Sequence, residues 1–124
     1  MPRQIVTDKA PGAIGPYSQA LATGNLVFAS GQLPIDPATG KMPEDIKDQA
    51  RQAILNAKAI LEAAGSGLDK VVKASVFLAD LKDFAAMNEV YASFFSQPYP
   101  ARSCYQVAAL PLGAKVEVEV IAEI

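Results

Sequence analysis

A mixed β-sheet with two helices on one face, an α+β fold, is predicted for this 124-residue chain by three observations. Short alternating strand patterns open and close the sequence. Two apolar stripes at helical spacing lie in its second and third quarters. A further strand pattern separates those stripes, so the order reads β-β-β-α-β-α-β-β.

Gln4 to Thr7 is an edge-strand candidate. Tyr17 to Ala22 and Leu26 to Ser30 flank Thr23-Gly24-Asn25, a tight-turn composition that predicts a β-hairpin. Leu33 to Gly40 holds two prolines and a glycine and reads as a loop. A long helix is expected from about Pro43 or Glu44 to Ala64, with Glu44 and Asp45 at its positive end and Gly65 to stop it. Ile46, Ala50, Ala53, Ile54, Ala57, Ile60, Leu61 and Ala64 form its apolar stripe. Val71 to Ala79 reads as a strand. Asp83 is placed to cap a second helix, roughly Phe84 to Ser96, which Gln97-Pro98-Tyr99-Pro100 ends. Arg102 to Ala109 and Lys115 to Glu123 close the chain as strands joined by Leu110 to Ala114. The last alternates cleanly, with Val116, Val118, Val120 and Ala122 on one face and Glu117 and Glu119 on the other.

Composition narrows the chemistry. The length predicts one domain, 1–124, and a 51% hydrophobic fraction suits a packed core. Histidine is absent, which removes Ser-His-Asp and Cys-His catalysis and every His-ligated metal site. The single cysteine, Cys104, excludes an internal disulfide and a multi-cysteine zinc site. A net charge of −2, with the basic residues thinly spread, gives no footprint for nucleic acid. Apolar runs fall far short of the ~18 residues a membrane span needs, and the first ten residues lack a signal peptide's apolar core. A cytoplasmic protein with no nucleic-acid or membrane partner is expected.

Few residues are then left to carry chemistry. Arg102, at a strand start, is either a solvated charge or a fork for a carboxylate, which a guanidinium grips in two places. Cys104 shares its face and reads more readily as a small buried residue than as a nucleophile, since no partner base exists. Glu117 either faces water beside Glu119 or points into a cleft to move protons on water. Tyr17 is a polar-tipped aromatic near the first hairpin, and Gly31, beside Ser30, permits close approach of backbone to a ligand.

Gly15-Pro16-Tyr17-Ser18-Gln19, Ala29-Ser30-Gly31-Gln32, Val76-Phe77-Leu78-Ala79-Asp80, and Pro100-Ala101-Arg102-Ser103 followed by Val116-Glu117-Val118-Glu119 resemble the reactive intermediate deaminase family, RidA or YjgF. The likeness is collinear from about Ile5 to Ala122. It implies a fold similar to chorismate mutase, assembled as a homotrimer with active sites in clefts between subunits. It also implies hydrolysis of 2-imino acids and their enamine tautomers, such as 2-aminoacrylate, to 2-keto acids and ammonia, with no cofactor or metal. By the same resemblance Arg102 binds the substrate carboxylate and Glu117 handles the attacking water. Tyr17, Ser30, Gly31 and Cys104 line the pocket, the cysteine mainly through its backbone. Tyr105-Gln106 and Leu112-Gly113 depart from the family pattern, which bears on substrate size. A non-catalytic trimeric binder of small carboxylates is the rival reading. RNA cleavage or translation inhibition, also attributed to family members, sits poorly with the acidic charge.

Overall fold

A computed structural model of the chain, covering residues 1–124, contains six strands in one sheet and two α-helices. The strands are β1 (Arg3–Ile5), β2 (Ala20–Thr23), β3 (Leu26–Ala29), β4 (Val71–Leu78), β5 (Ala101–Gln106) and β6 (Val116–Glu123). The helices are α1 (Ile46–Ala63) and α2 (Phe84–Phe94). Sheet order is β1-β2-β3-β6-β4-β5, antiparallel except for the β4/β5 pair. A parallel pair needs a crossover, and α2 supplies it.

The order of elements is as predicted; their ends move for local reasons. The hairpin strands are shorter than expected: Tyr17 lies in the loop before β2, whose ladder with β3 runs only from Ala20↔Ala29 to Thr23↔Leu26. Helix α1 starts after Pro43 and Glu44, because Asp45 keeps extended backbone and its carboxylate accepts from the N–H groups of Lys47 and Asp48. Asp83 precedes α2 as expected but makes no side-chain cap; Asp80 instead caps the 3₁₀ turn before it, accepting from the Lys82 N–H. That turn consumes the residues on which the predicted cap relied.

The core sits between one sheet face and the helices. Val116, Val118, Val120 and Ala122 of β6 and Ala74, Val76 and Leu78 of β4 are buried there with Ala53, Ile54, Ala57, Ile60 and Leu61 of α1. Fully burying one such Val, Leu or Ile side chain is worth about 1.5–3 kcal/mol. No helix covers the opposite face, where Leu21, Phe28 and Tyr105 remain 40%, 43% and 58% exposed. Leu21 and Phe28 pair across β2 and β3, whereas Tyr105 stands on β5 at the far edge of the sheet.

Candidate active site in two halves

The first half grows from the loop after β3. Gln32 pairs with Val118 as an isolated bridge, its N–H donating to the Val118 carbonyl at 2.7 Å and its carbonyl accepting at 3.1 Å. That bridge carries Ser30-Gly31 past the uncovered face of β6, where Glu117 lies. A Cβ built on Gly31 would stand 2.8 Å from the Glu117 Cδ and 2.9 Å from its Oε2, so the carboxyl occupies space that only a glycine leaves open. Glu117 is half-buried, and burial, followed by the neighbouring Glu119 charge, pushes its pKa up from 4.5.

Around this carboxyl lies a cleft of about 660 Å³ whose walls include Ile14, Tyr17, Leu33, Ile35 and Pro111. Buried amides hold the walls. Gln19 receives the Thr7 N–H at 2.8 Å and donates to the Pro11 carbonyl at 2.8 Å. Asn56, on the buried stripe of α1, donates to the carbonyls of Leu33 and Ile35 at 3.0 and 2.8 Å. The Ser30 hydroxyl donates to the Ser18 carbonyl at 2.6 Å, tying the Tyr17 loop to the Gly31 loop.

Arg102 is elsewhere. Its register partner is Ala74, and Cys104 pairs with Val76; both partners are core residues on the helix-covered face. The Arg102 guanidinium lies over α2, in a smaller pocket of about 340 Å³ lined by Asn88, Tyr91, Tyr99 and Pro100 among others. Glu117, paired with Phe77, is on the other face. The structure therefore gathers Tyr17, Ser30, Gly31 and Glu117 into one cleft and leaves Arg102 and Cys104 in a separate half. The two halves stand on opposite sides of the same sheet, so one chain cannot turn both toward one small molecule.

The thiol of Cys104 is pushed up by burial, with Arg102 pulling the other way, which favours the protonated form over a thiolate. No group of three or more His, Cys, Asp or Glu side chains converges to hold a metal ion.

The sequence profile of the family described as Endoribonuclease L-PSP matches residues 7–124. A 2-iminobutanoate/2-iminopropanoate deaminase of Escherichia coli is 49% identical over 98% of either chain. The chain belongs to the RidA/YjgF family. Among solved members, a RidA from an Antarctic Psychrobacter species superposes with a TM-score of 0.96 at 55% identity, covering 98% of this chain and 99% of that one. The E. coli protein TdcF, solved with bound serine, gives 0.94 at 49% identity over 98% of both chains.

Within this RidA-family chain the sequence reading passed over three groups. Asn88 lines the Arg102 pocket; its spacing of four from Phe84 and three from Tyr91 placed it on their helix face. Tyr91, buried in α2, reads from its spacing as a core aromatic and nothing more. Asn56 carried a usable signal, an amide beside Ala57 on a stripe destined for burial, where polar groups must find partners.

Proposed function

We propose that this chain hydrolyses 2-imino acids of the 2-iminopropanoate and 2-iminobutanoate type to 2-keto acids and ammonia, in sites completed between copies of itself in a homotrimer. The observation that carries this reading is the separation of Arg102 from Glu117 on opposite sheet faces, each in a pocket that lacks the other's chemistry. Arg102 offers a carboxylate fork with no proton acceptor nearby. Glu117 offers a half-buried acid in a cleft that contains no basic residue. Bringing one copy's helix side against another's open face supplies both to a single ligand and covers exposed apolar surface. The bound serine of TdcF, a small α-amino carboxylate, is the kind of molecule such a pair accommodates.

Chemically, Arg102 fixes the substrate carboxylate and so presents the adjacent C=N carbon. The Glu117 carboxylate takes a proton from water as the water oxygen bonds to that carbon. The substrate reacts as its protonated iminium, so the C=N electron pair moves to nitrogen and leaves the neutral amine of a tetrahedral intermediate. The carboxylic acid then returns its proton to that nitrogen. The C–N bond breaks as the hydroxyl oxygen forms C=O and passes its proton to the departing ammonia, leaving ammonium, the keto acid and an ionised Glu117. Burial favours this role, since a base works best with its pKa near the working pH.

The test generates imine with an amino-acid oxidase and traps it with semicarbazide. The protein is expected to suppress semicarbazone formation and release ammonia in step with its concentration. Trapping that proceeds unchanged, with 2-keto acid still bound by calorimetry, would establish the carboxylate-binding alternative instead.

A further inference from the structure

Within its own chain Arg102 has no acid to hold it. None of the chain's ion pairs includes it, although its side chain lies partly buried against α2. Its contacts are aromatic: the guanidinium carbon stands 4.7 Å from the Tyr91 ring centroid and 5.7 Å from that of Phe84. The spacing Phe84, Asn88, Tyr91 puts both rings on one face of the helix. Tyr91 is itself fixed, 6% exposed and stacked on Phe95 at 4.5 Å between centroids. Its hydroxyl is buried without a hydrogen-bond partner.

We infer that Tyr91 and Phe84 form an aromatic seat that positions Arg102 to receive a ligand carboxylate while leaving its charge un-neutralised. The inference rests on the carboxylate-clamp reading given above. Two devices can hold a long, mobile guanidinium. A carboxylate would grip it firmly, but would occupy the same N–H donors that a ligand needs and would cancel the charge that attracts it. An aromatic face attracts the cation through its quadrupole and takes none of the five N–H donors. The ring is thus the choice that orders the side chain and keeps it available. Tyr91 and Phe84 act through Arg102 and are positioning residues.

Calorimetry with 2-oxobutanoate as probe tests this on the intact protein. Tyr91→Leu should weaken binding roughly tenfold, whereas Tyr91→Phe, which keeps the ring, should stay within about twofold of wild type. Phe84→Leu, at a ring 40% exposed, should weaken binding about threefold and carries the test should Tyr91→Leu not fold. Combined with Arg102→Ala, none of these substitutions should weaken binding further, since the interaction they support is already gone. Equal losses in Tyr91→Phe and Tyr91→Leu, undiminished binding in both leucine variants, or losses that persist in the Arg102→Ala background would each overturn the seat. Arg102→Ala binding as wild type does would instead overturn the clamp beneath it, a distinguishable failure.

Discussion

Arg102, Glu117 and Gly31 carry the account at the scale of single residues, and each makes a separable prediction. Charge-assisted hydrogen bonds are worth ~1.5–3 kcal/mol each, so Arg102→Ala should lower kcat/KM for imine hydrolysis by roughly 10²-fold or more. Arg102→Lys should recover only part, because an ammonium restores charge without the planar fork. Glu117→Gln should slow turnover by about 10²-fold while still binding the keto acid, since the amide keeps the shape but cannot exchange a proton. The pH profile follows from burial: Glu117 works ionised, its pKa is raised above 4.5, and the acid limb of kcat/KM should lie above that of an ordinary glutamate. The sign for stability is the reverse of a salt-bridged acid. Raising a carboxyl's folded pKa costs stability as pH climbs through the unfolded value of about 4.5 toward the folded one, and the cost remains above it. Glu117→Gln should therefore melt higher than wild type near pH 7, with the difference fading near pH 4. Gly31→Ala must displace the carboxyl at its 2.8 Å contact; steady-state kinetics should show at least about a tenfold fall in kcat, with the melting temperature little changed.

Elements explain why the cleft holds its shape. Loop backbone at Leu33 and Ile35 has no sheet partner and is satisfied by the Asn56 amide, which reaches it from α1. Asn56→Ala should orphan both carbonyls and destabilise the chain by about 2–4 kcal/mol, read from denaturant melts, with KM raised as the wall loosens. The same elements show how far sequence reasoning extends. Periodicity located α1, α2 and most of the strands, because each has buried residues on one face, β5 excepted, and the alternation of Val116 to Ala122 leaves only one way to set β6 on the core. It placed Arg102 and Cys104 on a common face, and the register with Ala74 and Val76 puts them there. It overran the ends, since caps and 3₁₀ turns depend on which side chain captures a backbone N–H first, as Asp45 and Asp80 do. Periodicity within single strands also could not relate β5 to β6: which face of one strand matches which face of another depends on the pairing through β4. Only the register Arg102↔Ala74↔Val120 against Phe77↔Glu117 sets the arginine and the acid on opposite sides.

For the whole molecule that opposition is the central fact. A six-stranded sheet covered on one side only leaves Leu21, Phe28 and Tyr105 in water, and the proposed cyclic assembly of identical chains would resolve the exposed face and the divided site together. In the proposed trimer the arginine and the acid of each working site come from different chains, and mixing inactive variants tests that requirement most directly. Arg102→Ala and Glu117→Gln proteins should each be nearly inactive alone, and are then co-refolded at equal concentrations and sized by light scattering. In mixed trimers a Glu117→Gln chain still supplies Arg102 and an Arg102→Ala chain still supplies Glu117, so one interface of each mixed trimer, about one quarter of all interfaces after random assembly, should regain both groups. Imine hydrolysis should rise to about a quarter of the wild-type rate. A mixture that light scattering and mass analysis show to be hetero-oligomeric, yet no more active than its parents, would contradict the account.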